Sequence, residues 1–431
     1  MGGLRVHLEG YRAIAKADIA LAELTVLAGV NASGKSTLAR LFHHVVEVNR
    51  NFESYAALAA IVEESFPAIR AFLELVDSIG VDKKSIEPIT KTLSHRCSGA
   101  DIKRAQEAMD ILASSENFLR RVDGDSRIVE AFNRAAQTKV RNAKELVSLL
   151  QSKLAAAQCR LATYLRREGD SFPFWVSDAP DDWCSPQSLQ VWDGNTPIFD
   201  NNHLEATIPE IYSPKRSIYI RHELGASSVV AHLPRIRVDG ESRVLEFGGA
   251  SYPLKEHFGW MPTEVAFTGG HFEAPPNQDS VGWGEWRYVR EDGATFRYAD
   301  CAEGIKALAP LQVLDSYGLL DSNTLLILDE PEVHLHPKWI VECAETLVNL
   351  VAKRQVRVLV ASHSPYLIQA LQRFAAQALE KGQFRFYLAE KAEDVPFGYT
   401  YRDLGEKIGP IFKSFNVALD QIASYDASGE E

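Results

Sequence analysis

The chain reads as an α/β protein: a mainly parallel sheet carrying a phosphate-binding loop, with a small β-rich section and a helical insertion. Three stretches carry this reading. Gly29-Val30-Asn31-Ala32-Ser33-Gly34-Lys35-Ser36-Thr37 fits the P-loop pattern G-x-x-x-x-G-K-[ST] at every fixed position. Thr324-Leu325-Leu326-Ile327-Leu328-Asp329-Glu330 is an apolar run closed by two acids, and Val356 to Ala361 is another, closed by Ser362-His363-Ser364-Pro365. Short continuous apolar runs suit strands covered on both faces of a parallel sheet.

Length and composition set the bounds. The 431 residues leave room for two or three domains, and a hydrophobic share of 46% is that of a globular protein. A net charge of −12 excludes a uniformly basic nucleic-acid binder but leaves room for a local basic patch. The five cysteines (Cys97, Cys159, Cys184, Cys301, Cys343) are scattered and form no C-x-x-C pair, so no zinc ribbon or disulfide framework is implied. Reduced thiols in a cytoplasm are the simplest account. No apolar run approaches the roughly 18 residues of a membrane span. Met1-Gly2-Gly3-Leu4-Arg5 lacks the apolar core of a signal peptide, and Val6 breaks the myristoylation pattern. The expectation is a cytoplasmic protein with no membrane partner.

In chain order, Leu4 to Leu8 and Ile14 to Leu21 read as paired strands, with Tyr11 in the turn. Tyr11 is either a half-buried surface tyrosine, the favoured reading, or an aromatic that stacks on a nucleotide base. Leu24 to Ala28 is a buried strand, and Leu38, Leu41 and Phe42 place a helix directly after the loop. Strand, glycine loop and helix are the context the motif requires; a plain glycine turn before a helix is the alternative for the motif alone. Gly29, Asn31, Ser33, Gly34, Lys35, Ser36 and Thr37 are expected to cradle the phosphates of ATP with backbone N–H groups and the helix N-terminus. Lys35 is expected to reach the β and γ phosphates, and the Ser36 hydroxyl to ligate Mg2+.

From Val45 to Glu168 the apolar spacing is helical, with breaks near Gly80-Val81-Asp82 and at Asp123-Gly124-Asp125. Between Lys91 and Asp170 there are 15 Lys and Arg against 10 Asp and Glu. The pairs Lys103-Arg104, Arg120-Arg121 and Arg166-Arg167 could contact DNA phosphates, although solvated helix faces more commonly carry such charges. Turn-rich segments such as Trp192-Asp193-Gly194-Asn195 make 171–205 a connecting loop or small hairpin. Ser217 to Ile220 reads as a strand, and residues 228–300 as a small β-rich section with a hairpin turning at Asp292-Gly293. The expected division is 1–44 for the N-terminal part of the nucleotide-binding head, 45–170 for the insertion, 171–205 for the connection, and 206–431 for the C-terminal part.

The second apolar run has the Walker B arrangement. Asp329, at its carboxyl end, is expected to hold Mg2+, and Glu330 to polarise the attacking water as general base. His363, just past the next strand, is placed to bond the γ-phosphate and sense its loss. The interval from Asp329 to His363 has room for one helix, about Trp339 to Val351, and hence for one βαβ crossover. These groups would then share the carboxyl edge of one sheet.

Gly29 to Thr37, then Leu328-Asp329-Glu330-Pro331-Glu332-Val333-His334-Leu335-His336-Pro337, then Ala361-Ser362-His363-Ser364-Pro365-Tyr366, together resemble the ABC-type ATPases. The likeness is greatest to the RecF- and OLD-like branch, which includes ATPases of bacterial anti-phage systems such as Septu PtuA and PARIS AriA. It covers roughly residues 1–44 and 206–390 and leaves out the helical insertion. The resemblance implies an ABC-type P-loop NTPase head that sandwiches ATP between two copies, as a homodimer or higher homo-oligomer. It puts Val333 to His336 in the place of the D-loop, with His334 and His336 better placed to touch the partner head than to form a metal pair. Ala302-Glu303-Gly304-Ile305-Lys306 takes the place of the signature loop. Gly304 would open a helix there that Pro310 kinks or restarts, and Ala302 stands where the family usually has serine. No convincing Q-loop glutamine is found. Of the 68 residues after His363, Phe384 to Leu388 reads as a last strand, and Tyr401 to Ile422 contains a last helix. The acids of a Toprim nuclease are missing, so an effector such as a nuclease would be a separate chain. The leading expectation is an Mg2+-dependent ATPase acting as sensor or scaffold for that effector. The alternative is a RecF/SMC-like DNA clamp using the basic helices, and a transporter's nucleotide-binding subunit is a poor third.

Overall fold

The computed structural model describes residues 3–50, 56–57, 60–62, 64–79, 81–93, 98–166, 186–200, 214–221, 235–239, 242–247, 250–254, 269–273 and 287–413. The expectations for Arg167, for residues 171–185 and 201–205, and for the segment after 413 lie outside these residues. Contacts divide the chain into two compact units. One comprises Met1–Glu47, Pro186–Pro197 and Ile211–Glu431, and the other Val48–Ser185 and Ile198–Glu210.

The first unit begins with β1 (Leu4–Tyr11) and β2 (Ile14–Ala20), an antiparallel pair whose burial alternates along each strand. β3 (Leu24–Ala28) is buried at all five positions, as its unbroken apolar sequence predicts for a central strand. The P-loop follows, and α1 (Lys35–Arg50) starts at the loop lysine. Leu38, Leu41 and Phe42 are buried on it.

The second unit contains α2 (Phe66–Ile79), α3 (Lys83–Lys91), α4 (Gly99–Ser114), α5 (Glu116–Asp123), α6 (Ser126–Ala136) and α7 (Ala143–Arg166). The break at Asp123-Gly124-Asp125 falls where the sequence puts it, because Asp125 caps α6 by accepting from the Arg127 N–H at 3.1 Å. Ser98 and Asp101 form a capping box on α4. Phe72 and Phe118 meet edge-on at 6.5 Å, and Phe132, Met109, Leu146 and Leu150 are buried with them. Several of the basic side chains are engaged within their own helix or cap. Arg104 pairs with Asp101, Arg120 with Glu116 and Arg127 with Asp125.

The chain returns to the first unit's sheet through β4 (Ser188–Asp193) and β5 (Thr196–Asp200), a hairpin turning at Gly194. β4 pairs with β1, so this hairpin extends the main sheet and is more than a connection. β6 (Arg216–Arg221) follows. β7 (Arg235–Asp239), β8 (Ser242–Phe247) and β9 (Ala250–Leu254) form one small antiparallel sheet. β10 (Gly270–Glu273), β11 (Arg287–Arg290) and β12 (Thr295–Arg297) form another. The β11–β12 turn is the expected Asp292-Gly293, with Gly293 at φ +84° and its N–H donating to the Arg290 carbonyl at 2.8 Å.

Then come α8 (Glu303–Ser316), β13 (Thr324–Asp329), α9 (Pro337–Arg354), β14 (Arg357–Ser362), α10 (Pro365–Ala378), β15 (Phe384–Lys391) and β16 (Tyr399–Gly405). Two expectations are corrected here. Pro310 lies inside α8 and does not restart it, since the helix runs unbroken from Glu303 to Ser316. Its neighbours Ala309, Leu311 and Val313 are buried, and that packing outweighs the missing N–H. Phe384 to Leu388 is not in the last strand, because Tyr399–Gly405 pairs antiparallel with it, burying Tyr401. The helical turn begins only at Gly409.

The large sheet has the order β5-β4-β1-β2-β16-β15-β3-β14-β13-β6. From β15 to β6 every pairing is parallel, and the antiparallel pairings lie on the other side. β13, α9 and β14 make the expected βαβ crossover. Apolar residues of α8, α9 and α10, among them Leu314, Leu347 and Leu371, are fully buried in the same core as these strands.

Leu326 is fully buried in β13, whereas Ile111 on α4 is 68% exposed. Leu326→Ala should cost about 2–5 kcal/mol in urea unfolding, and Ile111→Ala should stay within about 0.5 kcal/mol of the wild type.

Candidate functional site

Register builds the site. Asp329 pairs with Ala361, Ser362 with Ala28, and Leu388 with Ala28 on the other side. The carboxyl ends of β13, β14 and β3 therefore lie side by side, and Glu330, His363 and Gly29 leave the sheet at one edge.

The loop is locally strained and locally tied. Gly34 has φ +92°, and a Cβ there would lie 2.7 Å from Ile14 Cγ1. Ala32, at φ +62°, takes a left-handed conformation that costs a non-glycine residue about 1 kcal/mol. The Val30 carbonyl accepts from Ser33 Oγ and from Lys35 Nζ, each at 2.8 Å. Lys35 is only 4% exposed. Burial pulls its ammonium below the usual lysine range, while the carboxylates of Glu330, Asp329 and Glu332 oppose that shift. Ser36 and Thr37 are half-buried in the first turn of α1, and Asn31 is exposed.

Asp329 is 2% exposed with both carboxylate oxygens engaged. Oδ1 accepts from Ser36 Oγ at 2.9 Å, and Oδ2 from the Tyr219 hydroxyl at 2.7 Å. Glu330 has φ +55°, and its N–H donates to the Ala361 carbonyl at 2.8 Å. Its Oε1 lies 3.2 Å from His363 Nδ1. Lys35, Ser36, Asp329, Glu330 and His363 thus meet at one place. The hydroxyl and carboxylate of Ser36 and Asp329 are adjacent hard oxygen donors. They fit Mg2+, which takes one or two protein oxygens and completes its shell with water and phosphate. Among the described residues, no cluster of three or more His, Cys, Asp or Glu could hold a metal by itself.

Gly304 stands apart from this group. It is buried in the first turn of α8, where a Cβ would meet Trp339 Cζ3 at 2.7 Å and the His334 carbonyl at 3.1 Å. His334 and His336 are exposed, and His336 Nδ1 accepts from the Lys338 N–H at 3.2 Å, capping α9. Tyr11 is neither a surface tyrosine nor open to a base. It is 3% exposed, and the Arg12 guanidinium lies 5.5 Å from its ring centre.

Two tyrosines at the site carry no motif. Tyr219 holds Asp329 from β6, and the Tyr401 hydroxyl donates to the Ser33 carbonyl at 3.1 Å across 368 residues. Burial raises both phenols. Neighbouring Tyr219, the His43 ring lies 5.7 Å away and accepts from or donates to Ser217 Oγ at 2.7 Å.

Residues 184–369 match the family described as "AAA domain, putative AbiEii toxin, Type IV TA system". That segment contains Asp329, Glu330 and His363, and the P-loop lies outside it. No curated protein matches the chain. Among solved structures, the chain is similar to the Smc head domain of Pyrococcus furiosus, solved with an extended coiled coil and bound to the C-terminal domain of ScpA. Identity is 9%, with 98% of this chain and 100% of that chain covered at a TM-score of 0.35. It is also similar to the SMC head domain from Thermotoga maritima, at 9% identity and TM-score 0.31, covering 93% and 99% of the two chains. Among the described residues no helix is long and apolar enough to cross a membrane.

Burial, with a smaller contribution from His44, holds the His43 imidazole down to about 4. The unfolded chain therefore binds more protons between its pKa of about 6.5 and that value. Stability should fall by up to about 3 kcal/mol as pH drops through this window. In urea titrations across the window, His43→Gln should remove that part of the slope.

Proposed function

We propose that the chain is an Mg2+-dependent ATPase of the ABC type that binds ATP between two copies of itself and relays its nucleotide state to a separate effector protein. The observation that carries the reading is the 2.9 Å contact between Ser36 Oγ and Asp329 Oδ1, which joins the P-loop to the acid at the end of β13. Lys35 and the loop N–H groups bind the β and γ phosphates. Asp329 and Ser36 would hold Mg2+, which would supply neutralisation of phosphate charge. Glu330 takes the proton of the attacking water as general base. His363 orients Glu330 and offers a hydrogen bond to the γ-phosphate, reporting its loss.

The sequence resemblance supports dimerisation, with Val333 to His336 and the first turn of α8 facing the partner copy. Gly304 joins that face through its packing on Trp339 and the His334 carbonyl. The same resemblance supports a role in phage defence beside an effector such as a nuclease. The family matched over 184–369 is described as a putative toxin of a two-part system, which suits a chain that works with a second protein.

A second reading, a DNA-bound clamp, draws on the loop between α6 and α7. Asn133 braces it by donating to the Val140 carbonyl at 2.8 Å and accepting from the Val140 N–H at 2.8 Å, with Lys139 and Arg141 exposed on either side.

Lys35→Ala should abolish ATP binding in calorimetry, and undiminished binding would rule out this site. Glu330→Gln should slow hydrolysis by about 100-fold or more and hold an ATP-bound dimer in light scattering; a monomer under ATP would remove the dimer switch. For the second reading, Lys139→Glu with Arg141→Glu should weaken DNA retention at low salt by about tenfold or more, and no retention by the wild type would end it.

A further inference from the structure

One carboxylate lies behind the groups that face the site. Glu332, in the turn after β13, is 8% exposed. Its Oε1 accepts from Ser362 Oγ at 2.7 Å and from the His363 backbone N–H at 3.1 Å, and lies 3.6 Å from Nδ1 of the same histidine. Its Oε2 is buried with no hydrogen-bond partner among the described residues. A buried acid serving only as packing would spread its bonds over both oxygens, since each unpaired one is costly. Here two hydrogen bonds converge through one oxygen on two consecutive residues.

The constraint continues along the chain. Ser362 Oγ accepts from the Ser364 N–H at 3.0 Å, and Ser364 Oγ accepts from the Leu367 N–H at 3.4 Å, capping α10. His363 sits between these fixed points. Its side chain and that of Glu330 are 38% and 35% exposed, so neither is held by burial. Without an anchor, both would sample rotamers in solvent, and the 3.2 Å approach of His363 Nδ1 to Glu330 Oε1 would be one arrangement among several. The Glu330 N–H bond to Ala361 ties the same two turns a second time, through backbone.

We infer that Glu332 is a positioning residue that fixes the backbone and ring of His363 so that the imidazole is held against Glu330. The effect on turnover rests on the ATPase reading above, whereas the effect on the ring does not.

The test uses the full chain with 15N-labelled histidine and no nucleotide, the His363 ring signals being assigned with His363→Gln. In Glu332→Ala the His363 signals should shift and broaden while the other histidines keep theirs. Glu332→Gln, whose carbonyl oxygen can still accept from Ser362 and His363, should restore most of the wild-type position. With ATP and Mg2+, Glu332→Ala should lower kcat by about tenfold or more with KM within about threefold, and Glu332→Gln should recover part of it. Ser362→Ala removes one tie without emptying the buried site, and should move the same signals in the same direction by less. It decides the matter if Glu332→Ala fails to fold. Unmoved His363 signals in the folded variants, or an unchanged kcat in Glu332→Ala, would overturn the inference. A wild type that neither binds nor hydrolyses ATP would defeat the ATPase reading and leave the ring signals to decide this one.

Discussion

The hydrogen bond from Ser36 to Asp329 is the contact on which the site depends, and it spans 293 residues of chain. Nothing local produces it. It follows from parallel register across three strands, in which Ala28 lies beside Ser362 and Ala361 beside Asp329. Side chains alternate faces along a strand, so a slip of one residue in either pairing would turn Asp329 away from the loop. β3 and β13 are buried at every position, so such a slip would also misplace side chains packed on both faces. The intervening length costs little, because loop-closure entropy grows only logarithmically. A helical unit of more than a hundred residues can therefore sit between α1 and β4 without disturbing the register.

With register fixed by apolar strands, the polar groups at their ends tolerate arrangements that are locally unfavourable. Ala32, Glu330 and His334 all have positive φ, each in a turn that leaves or borders the site. Lys35 is nearly buried, and desolvation of its ammonium is opposed by three carboxylates. Asp329 has a hydroxyl on each oxygen. Costs of this kind persist where surrounding structure over-determines the conformation. Here the over-determination comes from paired neighbours: the Tyr401 hydroxyl on the Ser33 carbonyl, the Glu330 N–H on Ala361, and Glu332 on Ser362.

What the sequence made legible divides along the same line. Unbroken apolar runs disclosed β3, β13 and β14, because a strand covered on both faces has no polar position to hide it. The P-loop and the acids after β13 were visible because phosphate and metal chemistry fixes residue types at short spacing. Tyr219 and Tyr401 were not, since one acts on the end of the next strand and the other on the loop after a strand two places away, and an aromatic in a strand is ordinarily just a strand residue. Tyr11 misled for a related reason: the turn position suggested exposure, but the chain folds it into the core. The helix expected within Tyr401 to Ile422 begins only at Gly409, because the chain before it forms β16, a strand too short and too mixed in burial to stand out from the apolar spacing after it. Gly304 fitted a loop motif, and its close packing on Trp339 gives a second, purely steric reason for glycine.

The same sheet edge also concentrates helix N-termini. α1 begins at Lys35, directly on the loop, α9 at Pro337, and α10 at Pro365, two residues past His363. Proline at the first turn of α9 and α10 fixes the backbone for helix and removes an N–H that would have no acceptor there. His336 and Ser364 occupy their caps. α1 differs, since the residue before it is Gly34, which has no side chain to cap the helix end. Two of the three helix ends are thus satisfied from within the chain, and the remaining one, beside Lys35, is the end suited by its dipole to an anion. On the ATPase reading proposed above, that asymmetry would favour a phosphate-bearing ligand: two helix ends are capped from within the chain, and the one beside Lys35 follows the glycine loop.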